Sequence, residues 1–151
     1  MSRMKRRTRR GFTLIELLLV AGILALLAAF AAPRLFGLAD SAKRDLARTA
    51  VGRNGPIAKA LDAYNWHMGK FPDTDEGLDA LMQRKDAVDD ERYQGPYLNN
   101  DKVLDPWGSP YRYRSPGEIN EESYDLWSIG KDREDNEGKE GSDDIKNWTE
   151  K

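Results

Sequence analysis

The chain has no cysteine and a single histidine among its 151 residues. The first absence excludes disulfides, thiol catalysis and thiolate metal centres, and it fits any redox compartment. The second leaves His67 alone, so a transition-metal site has no set of nitrogen and sulfur donors to draw on. A Ser-His-Asp constellation is formally available, but any chain with Ser and Asp offers one. His67 stands between Trp66 and Met68 at the expected end of a helix, where packing or capping is its expected role. No glycine-rich phosphate loop precedes a helix, and no internal repeat is evident. Positive charge is scarce beyond the N-terminus. The formal charge is −2, and removing the six cations of residues 1–10 leaves about −8. Such an acidic remainder argues against nonspecific nucleic-acid binding. No catalytic set stands out, so the expectation is a protein that is not an enzyme.

What is present is concentrated at the N-terminus. Arg3, Lys5, Arg6, Arg7, Arg9 and Arg10 precede Gly11-Phe12-Thr13-Leu14-Ile15-Glu16, and an apolar run then lasts to Pro33-Arg34. Between Arg10 and Arg34 the one charged residue is Glu16. Phe12–Ala32 is 21 residues, about 31 Å as a helix and close to one hydrocarbon thickness. The run is rich in Leu and Ala, so helix propensity agrees with hydropathy. The positive-inside rule leaves the basic side in the cytoplasm and sends the rest of the chain across. An ordinary secretory signal cut near Ala29-Phe30-Ala31 is the plainer alternative, but it leaves Glu16 unexplained. A carboxylate in a bilayer costs about 2.5–3.5 kcal/mol on insertion scales, and the apolar run offers it no partner. Cutting the Gly11–Phe12 bond would make one: the new amine of Phe12 is cationic at neutral pH. It would lie within helical reach of Glu16 in the same subunit or a neighbour.

Arg9-Arg10-Gly11-Phe12-Thr13-Leu14-Ile15-Glu16 resembles the class III signal of type IV pilins and pseudopilins. The resemblance implies cleavage after Gly11 by a prepilin peptidase, N-methylation of Phe12, and a role in assembly for Glu16. Pro33 matches the family's helix proline. It implies three segments: a leader over 1–11, a transmembrane and assembly helix over 12–34, and a periplasmic domain over 35–151.

About 115 residues lie beyond Phe36, enough for one small core. Leu38, Ala42, Leu46, Ala50, Ile57, Leu61 and Tyr64 recur at helical spacings, which predicts a long helix over Phe12–Trp66 with an amphipathic second half. Asp40, Lys43, Arg44, Asp45 and Arg48 are expected on its wet face, and Pro33 should kink it. Gly52-Arg53-Asn54-Gly55-Pro56 is its weak point, since two glycines and a proline in five residues should break or bend it; related pseudopilins usually lack such a cluster. Gly69 and Pro72 end the helical region in the usual order. Thr74 is placed to cap a short helix over Asp75–Gln83, with Leu78, Leu81 and Met82 inward. Tyr111 and Tyr113 alternate with Arg112 and Arg114 as a strand, Ser123–Ile129 reads as a second, and Ser115–Glu122 joins them. Trp107, Tyr111, Tyr113, Trp127 and Trp148 are expected in the core or on strand faces. The fold class expected is α+β: a long N-terminal helix, transmembrane in its first half, packed on a small antiparallel sheet, with a C-terminal acidic loop.

Several of these segments narrow the resemblance to the major pseudopilin of type II secretion systems. They are Phe71–Leu81, Gly95-Pro96-Tyr97-Leu98, Asp105–Tyr113, Tyr124–Gly130 and Asp144–Trp148. The resemblance implies a type IV pilin-like fold and a subunit of a homopolymeric pseudopilus, anchored in the bacterial inner membrane with its domain in the periplasm. The implied partners are copies of itself, minor pseudopilins, the prepilin peptidase, and an inner-membrane platform with its assembly ATPase. Two alternatives stay open: a type IV pilin proper, and a membrane-anchored periplasmic enzyme or binding protein.

Gly117–Lys151 carries twelve acids and five bases. Closely spaced oxygen donors, with Gly130, Gly138 and Gly141 for sharp turns, suit a hard cation such as Ca²⁺, though not with the EF-hand spacing. On composition alone a solvated acidic run is the commoner outcome. The resemblance implies a structural Ca²⁺ site whose matching positions are Asp132 and Asp144, with Asp143, Ser142 and the Ile129 carbonyl as weaker candidates. Relatives tend to be glycine-rich where this chain has Arg133-Glu134-Asp135-Asn136-Glu137.

Overall fold

The structure is a computed structural model that describes residues 12–84, 87–99 and 102–149, with backbone alone at 32–36. The order of elements is α1 (Leu14–Val51), α2 (Pro56–Met68), a 3₁₀ turn (Gly77–Leu81), β1 (Arg112–Arg114), β2 (Asp125–Ser128) and β3 (Ile145–Lys146). The chain divides into two units, residues 1–40 and 41–151.

In the first unit α1 carries the apolar run. Leu14–Ala31 is long and apolar enough to cross a membrane, with a mean hydropathy of 2.6 and none of that stretch buried. The helix continues through position 33.

The second unit builds its core where the last turns of α1, all of α2 and the sheet meet. The long helix expected over Phe12–Trp66 is two helices. Pro56 takes the first position of α2, where a missing N–H costs nothing and φ is already helical. Gly55 sits so close to Thr49 and Ala50 that a Cβ there would strike their carbonyl oxygens. Its N–H donates to Gly52 O at 2.8 Å. The tight loop therefore requires glycine, and the chain restarts as a new helix. The inward stripe differs from the expected one as well. Ala47 and Val51 are buried on α1, whereas Leu38 and Leu46 are exposed, Leu46 by 63%. On α2 the expectation holds, with Ile57, Leu61 and Tyr64 buried. Gly69 closes α2 in the left-handed conformation with its N–H on Asn65 O, as glycine at that position favours.

The helix expected over Asp75–Gln83 shrinks to the 3₁₀ turn. Thr74 caps nothing: its hydroxyl donates to Ser115 O at 3.0 Å and accepts the Ser115 N–H at 2.9 Å, tying this segment to the end of β1. Leu78 and Leu81 are buried, and Met82 is half-buried.

The sheet is antiparallel in the order β1-β2-β3. Arg112 faces Trp127, Arg114 faces Asp125, and Ser128 faces Ile145. Strand β3 was not foreseen, since two residues carry no periodicity. It is held by Asn147, whose side chain accepts the Leu126 N–H at 2.9 Å while its N–H donates to Leu126 O at 3.0 Å. Leu61, Leu81 and Leu126 are essentially inaccessible, each contributing roughly 1.5–3 kcal/mol by burial. Around them Tyr64, Tyr93 and Tyr97 meet edge to face, and Phe71 stands on Tyr124. Tyr93 donates to the carbonyls of Ala80 at 2.9 Å and Gln83 at 2.6 Å. Burial pushes its phenol up to about 12, with the neighbouring Tyr97 and Tyr64 adding to it.

The β1–β2 loop is organised by one buried carboxylate. Asp125 accepts the N–H groups of Glu118 (2.7 Å), Ile119 (2.9 Å) and Asn120 (3.0 Å), and the Asn120 amide (2.9 Å). A second buried pair joins the turn before β1 to β2, with Ser128 donating to Asp105 Oδ2 at 2.6 Å.

Candidate functional site

Two places carry the sequence-predicted residues, one in each unit. At the head of α1, Phe12 is exposed and Glu16 stands in the first turn. Gly11 lies outside the described residues, and at Pro33 the backbone alone is described. Glu16 is not without a partner, as the sequence reading had it. Its Oε2 accepts the Thr13 N–H at 2.8 Å and the Thr13 hydroxyl at 2.9 Å, and the Glu16 N–H lies 3.3 Å from that hydroxyl. This is a reciprocal capping box, and its signal was present in Thr13-Leu14-Ile15-Glu16. The box places the carboxylate at the positive end of the helix dipole. The acid is thus tied to the residue next to Phe12, at the entrance to a helical stretch with no other charged residue before Arg34.

In the second unit the acidic loop runs from Gly130 to Asp144. Asp143 is folded back on Gly130: its Oδ2 accepts the N–H of Lys131 (2.8 Å) and of Asp132 (3.3 Å). A Cβ on Gly130 would meet Asp143 Oδ1 at 2.6 Å, and Gly130 has φ +71, so both space and conformation require glycine there. Arg44 on α1 reaches Asp143 Oδ2 at 4.0 Å. Asp144 Oδ2 accepts the N–H of Gly138 (2.7 Å) and Asn136 (3.2 Å). Burial nonetheless raises the Asp144 carboxyl above the usual range, against the pull of those two N–H groups and with the charges of Asp135 and Asp143 adding to the rise. Among the described residues three buried side-chain atoms have no hydrogen-bond partner, and two of them are Asp143 Oδ1 and Asp144 Oδ1. An orphaned buried carboxylate oxygen costs free energy that a cation can recover.

The other predicted donors are arranged differently. Asp132 is exposed and its Oδ1 accepts the Glu134 N–H at 2.8 Å. Ser142 donates to Lys139 O at 2.7 Å, and Ile129 is buried. No group of three acidic or imidazole side chains converges as a metal cluster among the described residues. Asp143 and Asp144 each keep one buried carboxylate oxygen without a hydrogen-bond partner, whereas the Asp132 carboxylate accepts a neighbouring N–H. The sequence reading missed Arg112, Arg114 and Trp127 as anchors of this loop, because strand register alone brings them there.

His67 behaves as packing: its ring lies 5.6 Å from that of Tyr97, with Nδ1 3.0 Å from the Tyr97 hydroxyl.

Residues 34–148 match the family model described as type II secretion system, protein G, and residues 6–32 match the prokaryotic N-terminal methylation motif. The type II secretion system core protein G of Pseudomonas aeruginosa is 37% identical over 150 residues, covering 96% of this chain and 99% of that protein. The core protein G of Vibrio cholerae is 36% identical over 146 residues, covering 95% and 94%. The crystal structure of the major pseudopilin from the type 2 secretion system of enterohaemorrhagic Escherichia coli is similar with a TM-score of 0.58 and 31% identity, covering 77% of this chain and 95% of that one.

Proposed function

The chain belongs to the type II secretion system protein G family and is a pseudopilus subunit, not an enzyme; from that premise we propose how its two ends serve assembly. It is a membrane-anchored subunit carrying an N-terminal methylation motif. A prepilin peptidase cuts between Gly11 and Phe12 and methylates the Phe12 amine. The basic leader marks the cytoplasmic side of the inner membrane, and the domain beyond α1's apolar stretch faces the periplasm. Copies then pack their Phe12–Pro33 helices into a filament core. The platform protein and ATPase add subunits, minor pseudopilins complete the filament, and its growth exports folded proteins across the outer membrane.

The observation that carries this reading is the stretch Leu14–Ala31, apolar and unburied, with one acid fixed at its head by Thr13. Apolar side chains supply contact area in a lipid-facing bundle but little positional information. The pairing of Glu16 with a cationic Phe12 amine supplies the register, because a subunit shifted by a turn leaves both charges unpaired in hydrocarbon. Intact mass and N-terminal sequencing of the protein purified from membranes test it. N-methyl-phenylalanine at the terminus is the expected result; a chain that keeps Arg3–Arg10, or one trimmed near Ala31, overturns it.

The acidic loop is proposed to hold one structural Ca²⁺. The support is the pair of orphaned oxygens on Asp143 and Asp144, in a donor set made wholly of hard oxygens. Asp143 and Asp144 are the residues that would hold the ion, with the Ile129 carbonyl, Ser142 and Asp132 as further donors. The ion would neutralise the loop's mutual repulsion and fix it on the domain. Calorimetry and thermal melting of the full chain in detergent, with Ca²⁺ added, are the test. Binding heat and a raised Tm, both lost in Asp144→Ala, are expected; neither appearing at millimolar Ca²⁺ ends the proposal.

A further inference from the structure

The segment Arg133–Glu137 holds no glycine, yet at both its ends the backbone takes the shape that glycine favours. Arg133 has φ 63 and Glu137 has φ 55, the only non-glycine residues with positive φ among those described. That conformation is disfavoured for residues with a Cβ, so something must hold the segment in it.

The sheet does so. Asp135, midway between them, gives both carboxylate oxygens to one cross-strand pair. Trp127 Nε1 donates to Oδ1 at 3.0 Å, and Arg112 Nε reaches Oδ2 at 2.9 Å. Arg112 and Trp127 face each other in the β1–β2 register, so strand pairing delivers an indole donor and a guanidinium donor side by side to one acceptor. The Glu137 N–H closes the unit by donating to Asp135 Oδ1 at 3.2 Å. On either side Arg133 Nη2 donates to Trp107 O at 2.9 Å, and Arg114 reaches Glu137 Oε1 at 3.5 Å while its guanidinium lies 5.7 Å from the Trp127 ring centre.

We propose that Arg112, Trp127 and Asp135 form a metal-independent clasp that fixes residues 133–137 on the sheet, with Arg114–Glu137 as a weaker second contact. The acidic loop then has two anchors of different chemistry: protein cations at this end, and the Asp143–Asp144 end, where the calcium reading applies. The inference rests on that reading only for the second anchor. The clasp also removes Asp135 from any ligand set, because both its oxygens are already engaged by cationic and neutral donors. Exposed single ion pairs contribute little; here a shared carboxylate with two donors from adjacent strands, one of them the largely buried Trp127, is the reason the contact holds against solvent.

Residue-resolved amide exchange on the full chain in detergent, with Ca²⁺ or with EGTA, tests it. The Glu137 amide reports the clasp and the Gly138 amide, bonded to Asp144, reports the other end. In the unaltered protein EGTA should speed exchange at Gly138 and leave Glu137 unchanged. Arg112→Gln and Asp135→Asn should each speed exchange at Glu137 about fivefold, with Ca²⁺ and with EGTA alike. Arg112→Lys should restore part of the protection. Asp135→Asn is isosteric and keeps the fold in reach if Arg112→Gln is lost to misfolding. Wild-type Glu137 exchanging as fast as the variants once EGTA is added, or Asp135→Asn exchanging like wild type, overturns the clasp. If EGTA changes nothing at Gly138 while Asp135→Asn still acts, the clasp stands and the calcium reading fails.

Discussion

Residues 12–31 and residues 41–149 are made of similar apolar side chains and use them in opposite ways. In the first stretch Phe12, Leu14, Ile15, Leu17, Leu18, Leu19, Leu24, Leu26, Leu27 and Phe30 are all exposed. In the second, Val51, Ile57, Leu61, Leu81, Leu126 and Ile145 close on one another and on the tyrosines. Contiguous exposed apolar surface marks a partner outside the chain, so the first stretch is unfinished by design and the second is complete. The same contrast holds for charge. Among the described residues Glu16 is satisfied by Thr13 alone, whereas Asp125 in the domain is saturated by four donors from its own loop. An acid that the fold itself completes is structural; the one at the edge of the apolar helix is the one the proposed assembly assigns to a neighbour.

The largest effect that can break this contrast is at Glu16. Glu16→Ala should leave membrane insertion and N-terminal processing intact, since it removes a residue that costs about 2.5–3.5 kcal/mol to insert. Filament formation should fall at least tenfold, the equivalent of about 1.4 kcal/mol or more of lost register. Cross-linking and electron microscopy of membrane preparations read it. Filaments at undiminished yield would show that the helix finds its register without the acid.

Next in size is Asp125→Ala, which breaks three half-buried backbone hydrogen bonds at once. A loss of about 2–4 kcal/mol is expected, seen as a lower urea midpoint by tryptophan fluorescence, with insertion of α1 unchanged. A variant that lost insertion as well would mean the two regions are not independent.

Smaller again is the alkaline response of the domain. Burial pushes Tyr93, Tyr111 and Tyr124 up to about 12, so the folded state favours the neutral phenol. Their contribution is intact below the unfolded value near 10 and is lost as pH climbs from there through 12. At pH 11 each ring gives up about 1.4 kcal/mol. Burial raises Tyr113 and Tyr64 as well, so the urea midpoint should drop steeply above pH 10, and Tyr93→Phe should flatten that drop by roughly a fifth to a quarter. A midpoint flat to pH 12 would mean the rings are hydrated in the folded protein.

The two regions also differ in how far the residues alone foretold them. The first was legible because its signals are local: an apolar run, a single acid and a basic flank need no tertiary context. Its one omission, the Thr13–Glu16 box, was local too and was overlooked in favour of the amine not yet formed. In the domain, α2 and the β1–β2 pairing followed from periodicity and turn residues. The break at Gly52–Pro56 was signalled by composition, but the change of inward stripe from Leu46 to Ala47 was not, since it is set by how residues distant in sequence pack into one core cluster. Thr74 had the right type for a cap and was taken instead by Ser115, 41 positions away in sequence. The loop was hardest. Its acids were counted correctly, yet which of them stay unpaired and which meet Arg112, Arg114 and Trp127 depends on strand register, a long-range property that charge counting does not contain.

The smallest expected effect sits on the domain's own exposed apolar residues. Trp66 is 86% exposed and Leu46 63%, so each contributes little burial free energy to the isolated subunit. Trp66→Ala and Leu46→Gln should each move the urea midpoint by an amount equivalent to no more than about 0.5 kcal/mol, as surface substitutions do. Set beside Leu126→Ala, where a fully enclosed side chain should cost about 2–5 kcal/mol, they measure how sharply the domain separates inside from outside. A loss above about 1 kcal/mol at Trp66 would mean that the indole is covered in the free protein. The division between a finished domain and an unfinished helix would then have to be drawn elsewhere.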